Sequence, residues 1–510
     1  MHSLYVYTTP ANSTHTSPTL IINKHDPGQD GTVETAGPLS DEEDINDYKQ
    51  GGYHRVQVGD SFHDGRYVVE AKMGWGYFST VWLANDTLMK RHVALKIVKS
   101  DPHFCKSALE EIELLEQAQT AGNGSHQHVA QLLHHFWHDA GAAGGGGKHV
   151  CMVFEVLGES LLSLMKRFNY RGLPVNMVKR ITRQVLDGLA FLHDTCGIVH
   201  TDIKPENILI CIPDVEDYLE KQKRPSQPRR FSSSSTLLLD SPATTPVSDS
   251  SGRRLVKRKM KRQQKRTEDP PLGGKQKSTN NLQQIQSTLS SLSLAVPLDS
   301  SSSSSSSTTA SLPTIIRSSA LDCTALMDDT DDPDNQADDE AWHDRITVKI
   351  VDLGNACRID GNFKHVIQTR QYRSPEVIIG MIWNDRADIW SLGCLVFELL
   401  TGDYLFDPRA DTKYGKDDDH LAKIIELMRV LPRSLIIGGD YSREFFNQKG
   451  ELRHAKTLRH RRLRDVLHDT YFMPPEQADG ISDFLSPMLE VDMTKRASAN
   501  TLLKHGWLDL

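Results

Sequence analysis

A chain of 510 residues with 38% hydrophobic side chains can bury a sizeable core in two or three domains, and a net charge of −8 makes no whole-chain case for nucleic-acid or membrane binding. No apolar stretch reaches the roughly 18 residues of a membrane span, and the start MHSLYVYTTPANSTHTSP lacks the basic and apolar regions of a secretory leader. The seven cysteines show no CxxC pairs or metal-ligand spacing and read as reduced core thiols of a cytosolic or nuclear protein, with a monomer as the default expectation.

Residues 1–40 are rich in Thr, Ser, Pro and Gly, so burial there cannot offset the entropy of ordering, and a disordered tail is expected. From Tyr53 onward RYVVEAKM, TVWLAND and HVALKIVKS are short β-branched runs between turns, the pattern of an antiparallel sheet. ALEEIELLEQA (108–118) has helical apolar spacing. HVCMVFEVLG (149–158) is a further strand, reached through GAAGGGGK, which reads as a hairpin loop because no helix start follows it. After Pro174 the pattern turns helical, with VKRITRQVLDGLAFLHD amphipathic and DIWSLGCLVFELLTG (388–402) apolar on nearly every side. Between them, residues 213–345 hold a serine run (300–307), an acidic stretch and no sustained periodicity. They are expected to be a disordered insertion whose ends lie close together, since loop-closure entropy grows only logarithmically with length. ITVKIVDLGNA (346–356) resumes as strand and loop.

Three stretches carry chemistry. GWGYFSTVWLA supplies Gly74 and Gly76, then Ser79 where a GxGxxG pattern would have its third glycine. A strand follows, not a helix, so the loop suits a lid whose bare backbone approaches phosphates. Lys96, flanked by apolar residues of a strand, is either a surface charge or a buried cation held by an acid, and Glu111 on the next helix is the candidate acid. IVHTDIKPENILI (198–210) projects Asp202, Lys204 and Asn207 from one loop between two apolar strands. Phosphoryl transfer needs in-line positioning, charge neutralisation and an acceptor for the incoming hydroxyl's proton. Asp202 suits the proton, Lys204 the developing phosphate charge, and Asn207 with Asp352 of IVDLGNA a Mg²⁺ ion.

The ordered set GWGYFS, VALK, Glu111, HTDIKPEN, DLG and SPE resembles the eukaryotic protein kinases. DEEDINDYKQGGYHRVQVGD, CMVFEVLGESLL, the long insertion, VDLGNAC, QTRQYRSPEV and TGDYLFDP extend the likeness to the SR-protein kinases, which phosphorylate serines in Arg-Ser repeats. The resemblance covers about 41–211 and 343–510. It implies an α+β, two-lobed kinase fold: a β-rich N-lobe with its extension (41–158), a helical C-lobe begun at 159–212 and completed at 346–510, and ATP with Mg²⁺ between them. It further implies that Gly74, Trp75, Gly76, Ser79, Val81, Ala94 and Lys96 surround the nucleotide, that Phe154 is the gatekeeper, that Glu155 and Leu157 bond adenine through their backbones, and that Glu376 pairs with Arg496 in a buried contact. A LAMMER-type kinase and a pseudokinase scaffold compete with this reading. The EHLAMMER signature is absent, and Lys96, Asp202, Asn207 and Asp352 are all retained.

Most kinases have Arg before the catalytic Asp, where it awaits a phosphate on the activation loop; here the residue is the uncharged Thr201, which predicts an enzyme that needs no activating phosphate. A cationic Arg-Ser substrate calls for carboxylates, and TGDYLFDPRADTKYGKDDDHLAKIIEL concentrates them. By likeness to the family's docking groove, Asp403, Asp419 and Glu426 are the expected contacts. The basic run RRLVKRKMKRQQKR (253–266) suits nuclear import, RNA contact or binding of the acidic run at 328–340. With no interleaved aromatics to stack on bases, localisation control is the preferred reading over direct nucleic-acid binding, and the family resemblance implies movement between cytoplasm and nucleus under the insertion's control.

Overall fold

The computed structural model describes residues 43–141, 146–223, 345–360, 366–454 and 458–510, all within one unit that begins at Glu42. The tail expected to be disordered (1–40), part of the glycine run, and the serine, basic and acidic tracts of the insertion lie outside the described residues.

The smaller lobe is a six-stranded sheet made of β1 (Ser61–Phe62), β2 (Tyr67–Gly76), β3 (Ser79–Asp86), β4 (Arg91–Val98), β5 (Leu132–Asp139) and β6 (Lys148–Phe154). The strands lie in the order β1-β2-β3-β4-β6-β5. Alternation along the strands sends Tyr67, Val69, Trp82, Ala84, Val93, Leu95, Cys151 and Val153 into one core. β5 and β6 pair antiparallel with Trp137 opposite Val150 and Asp139 opposite Lys148, so the glycine run does connect a hairpin. Helix α1 (Pro102–Ala121) starts where the Asp101 side chain accepts from the His103 N–H at 2.8 Å and proline fills the first helical turn. Its buried face, Ala108, Glu111, Ile112, Leu115 and Ala118, is apolar except for Glu111.

The chain crosses to the larger lobe through β7 (Leu157–Ser160), α2 (Leu161–Arg167) and the amphipathic α3 (Val175–Ala190). Short β8 (Ile198–Val199) and β9 (Ile208–Cys211) bracket the catalytic-loop candidate. The insertion then begins, and here the structure corrects the boundary at 213. Residues Val215–Lys223 form helix α4, which buries Tyr218 and Leu219 with Leu83, Val156 and Ile212 and belongs to the folded domain. Beyond the insertion β10 (Val348–Ile350) pairs antiparallel with β9, Ile210 opposite Val348 and Ile208 opposite Ile350. The strands on either side of the insertion are thus adjacent, as expected from the small entropic cost of closing a long loop. β11 (Cys357–Arg358) pairs with β8. After α5 (Pro375–Ile378), helix α6 (Arg386–Thr401) is buried along almost its whole length, the consequence of a sequence apolar on every side. Helix α7 (Lys416–Met428) follows and packs against α5. Of the described cysteines none is in a disulfide, and Cys105, Cys151, Cys196 and Cys394 are buried.

Candidate active site

Strand register assembles the apolar part of the cleft. Val81 of β3 is the Cα partner of Lys96 in β4, and Ala94 of β4 is the partner of Phe154 in β6. Leu157 is buried at the start of β7. Glu155 turns its carboxylate away to the Lys349 ammonium (2.6 and 2.8 Å) and the Gln131 N–H (2.9 Å), and its own N–H donates to the Gln131 carbonyl at 3.4 Å. Above this surface the β2–β3 hairpin turns through Tyr77 and Phe78, with Gly76 opposite Ser79 and Gly74 opposite Val81. A Cβ added at Gly74 or Gly76 would meet nothing within 4 Å. The protein's own packing therefore does not demand glycine there, and the bare backbone would admit the close approach of a ligand.

On the inner side, the Lys96 ammonium donates to both Glu111 oxygens at 2.8 and 2.9 Å and lies 3.7 Å from Asp352. Burial opposes the charge on Lys96, but Glu111 and Asp352 outweigh it and hold its pKa above the ordinary lysine value. Asp352 follows β10 at φ 66°, a left-handed conformation that a short polar residue tolerates better than most. Its position inside the cleft disfavours ionisation, yet Lys96, His200 and Lys204 together keep its carboxyl below the usual range. At Gly354 an added Cβ would come 3.2 Å from Asp352 and 3.5 Å from Glu111, so glycine leaves room for both acids.

The loop after β8 supplies the rest. Lys204 donates to Asp202 Oδ2 at 2.6 Å, and Asn207 Nδ2 donates to the Asp202 carbonyl at 2.9 Å. Burial lowers and Asp202 raises the Lys204 pKa, with the net shift upward. The loop is hung from Asp388 in α6. One Asp388 oxygen accepts from the Thr201 N–H, and the other accepts from the His200 N–H and from His193 Nε2, each at 2.8 Å. These anchors hold Thr201 at φ 70°, which is costly for a β-branched residue. Burial works against the Asp388 carboxylate, but the His193 bond and its other partners keep its pKa lowered.

The structure thus brings Lys96, Glu111, Asp352, Lys204, Asp202 and Asn207 to one cleft under the glycine hairpin. Two functional residues were missed by sequence reasoning. Thr369 donates its hydroxyl to Asp202 Oδ1 at 2.7 Å and accepts from Lys204 at 3.2 Å. Its place shortly before SPE was the only signal. Asp388 was read simply as part of a buried helix, although an acid in so apolar a run was itself a sign. Glu376 and Arg496 form a bidentate pair at 2.7 and 2.9 Å with both side chains fully buried, as expected.

The docking candidates give a mixed result. Asp403 and Glu426 line a cavity of about 450 Å³ beside α7, and Asp419 stands at its edge, paired with the cavity-lining Lys423. Glu426 accepts from the Arg459 N–H at 2.9 Å, and Asp403 from the Tyr471 hydroxyl at 3.2 Å. Arg409, Lys423, Arg459 and Arg461 also line the cavity, so the carboxylates expected there share it with basic side chains.

The description Protein kinase domain matches residues 67–216 and 336–508. Among relatives, the protein kinase dsk1 of Schizosaccharomyces pombe is 41% identical over 473 residues, covering 92% of this chain and 85% of that protein. The SRSF protein kinase 3 of Mus musculus is 40% identical over 517 residues, covering 92% of this chain and 91% of its own. The serine/threonine-protein kinase SRPK of Physarum polycephalum is 38% identical over 477 residues, covering 93% of each. The chain belongs to the SR-protein kinase family. It is a serine/threonine-protein kinase with ATP as its phosphoryl donor. No described helix of this kinase is long and apolar enough to cross a membrane.

Proposed function

We propose that the kinase transfers the terminal phosphoryl group of ATP to serine hydroxyls in Arg-Ser-rich splicing factors, with Asp202 accepting the hydroxyl proton. The observation that carries this reading is the Asp202–Lys204–Thr369 cluster facing the Lys96–Glu111–Asp352 cluster across one cleft. The Asp202 carboxylate is oriented by its bonds to Thr369, Lys204 and Asn207, so a serine oxygen delivered to it loses its proton as the new O–P bond forms. Lys204 lies where charge develops on the transferred group. Lys96, kept charged by Glu111, is placed to hold the donor phosphates. Val81, Ala94 and Phe154 form an apolar contact surface for adenine, with Glu155 and Leu157 offering backbone groups.

The residues fit Mg²⁺. The Asn207 amide nitrogen is committed to Asp202, which leaves its carbonyl oxygen as the donor atom, and the Asp352 carboxyl is held ionised. Among the described residues no three His, Cys, Asp or Glu side chains could hold a metal by themselves. Two protein oxygens suit an ion that completes its shell with water and phosphate. When bound there, it neutralises charge on the phosphates.

The name of the SRSF protein kinase 3 relative supports SR-protein substrates, and Asp403, Asp419 and Glu426 are the docking residues of this reading. The basic run at 253–266 would control distribution between cytoplasm and nucleus. The deciding assay is turnover of ATP with Mg²⁺ on Arg-Ser and non-Arg-Ser peptides, with Asp202→Asn as control. Equal rates on both peptides would reject the substrate class, and an active Asp202→Asn variant would reject the catalytic assignment. Charge reversal at Asp419 and Glu426 should weaken binding of long Arg-Ser substrates in a salt-sensitive way and spare short peptides.

A further inference from the structure

Residues 43–60 precede the first strand, and no step of the transfer just described uses them. They are nonetheless tied to the nucleotide cleft at three places. Glu43, 7% exposed, accepts from Lys72 at 2.6 Å on the ascending strand of the lid hairpin. Tyr53, 3% exposed, donates its hydroxyl to the Gly76 carbonyl at 2.7 Å, at the hairpin tip. Gly51 and Gly52 bond the segment between β4 and α1: the Ser100 N–H donates to the Gly52 carbonyl and the Asp101 N–H to the Gly51 carbonyl, both at 3.1 Å. Asp101 is the residue that caps α1, the helix carrying Glu111.

One buried cation joins these contacts. Lys99 pairs with Asp47 at 3.0 Å, and its ammonium lies 4.1 Å from the ring centre of Tyr53 and 4.9 Å from that of Tyr77 in the lid. Its N–H donates to the Phe78 carbonyl at 2.9 Å. The Tyr77 and Phe78 rings meet Phe104 of α1 edge-on, at 5.7 and 5.5 Å between centres. Burial, with Asp47 and Glu43 nearby, holds the Tyr53 phenol protonated and so able to donate.

A hairpin with glycine at two of its last three β2 positions is free to sample many heights above the cleft, and a nucleotide must select the productive one at an entropic cost. We propose that Tyr53 is a positioning residue for nucleotide binding: through Gly76 it sets the height of the lid, and the segment around it locks the lid to the start of α1 before ATP arrives. This rests on the nucleotide-site reading above.

The test is Tyr53→Phe in the full chain, which keeps the ring beneath Lys99 and removes only the hydroxyl. The KM for ATP should rise about 3–10-fold, the range for losing one neutral hydrogen bond. The KM for the peptide substrate should be unchanged, and amide hydrogen exchange at residues 75–79 should quicken in the nucleotide-free protein. An unchanged KM for ATP, or unchanged exchange in the lid, would overturn the proposal. A lowered melting temperature with wild-type KM would reassign Tyr53 to a purely structural role and equally overturn it. If the wild-type chain turned over no ATP, the nucleotide-site reading would fail, and lid exchange would still decide whether Tyr53 restrains the hairpin.

Discussion

The Thr201 hydroxyl donates to the Asn355 carbonyl at 2.8 Å, joining the catalytic loop directly to the start of the activation segment. At the position where a regulated kinase has an arginine waiting for a phosphate, this chain has an uncharged bond that is already made. The segment's far end is fastened as well, by the bonds of Thr369 to Asp202 and of Tyr372 to the buried Glu398. The contacts that an activating phosphate would be needed to create exist without it. Kinase purified and treated with phosphatase is therefore expected to phosphorylate an Arg-Ser peptide at its original rate. A collapse in turnover after treatment would show that a phosphate is required.

Thr369 gives a second prediction. Its hydroxyl bridges Asp202 Oδ1 and the Lys204 ammonium, and a hydrogen bond to a charged group contributes about 1.5–3 kcal/mol. Thr369→Val should lower kcat by about 10–100-fold with the KM for ATP near wild type, and Thr369→Ser should recover most of the loss. Equal defects in the Val and Ser variants would point to packing and not to the hydroxyl.

The insertion can be removed, but only from the right residue. Helix α4 buries Tyr218 and Leu219 to 4% and 2% exposure, and its Glu216 accepts from the His92 N–H at 2.7 Å. Each buried side chain of this size is worth about 1.5–3 kcal/mol. Replacing residues 224–344 by a flexible linker should leave the melting temperature and short-peptide kinetics unchanged, because α4 is kept and β9 and β10 pair without the insertion. A deletion starting at Pro213 should lower the melting temperature by several degrees. Thermal unfolding of the two deletion variants, side by side, distinguishes them.

The smaller lobe should be sensitive to acid. His149 is 1% exposed, donates Nδ1–H to the Val98 carbonyl at 2.7 Å and has a buried Nε2 without a hydrogen-bond partner. Burial lowers its pKa from the ordinary 6.5, and burial does the same to His134 and His138. Above pH 6.5 folded and unfolded chains hold these rings neutral alike, and stability is undiminished. As pH falls below 6.5 the unfolded chain takes up the protons first, so stability declines until the folded pKa values are passed. The melting temperature should drop between pH 7 and pH 5.5, and His149→Phe should flatten that slope. A pH-independent melting temperature over this window would contradict the assignment.

Much of this molecule was legible from one dimension. Phosphate and proton chemistry restrict residue type and short-range spacing, so Lys96, Asp202, Lys204, Asn207 and Asp352 stood out in their loops and strands. Periodicity placed α1 and α3 because burial repeats with the helix period, and a run apolar on nearly every side placed α6 in the core. The insertion's anchorage followed from the cheapness of closing long loops. Helix α4 did not, because its nine residues follow directly from a strand into a polar tract and its burial depends on Leu83 and Val156 far away in sequence.

What only the folded chain decided are the contacts between side chains many residues apart. Asp388 holds Thr201 from 187 positions away, Thr369 reaches Asp202 across 167, and Tyr53 finds a carbonyl in the lid. Arg459 and Arg461 bring positive charge to a groove whose local sequence is acidic. A single residue carries its own chemistry in its side chain, but its partner is chosen by packing, and packing is a property of the whole chain.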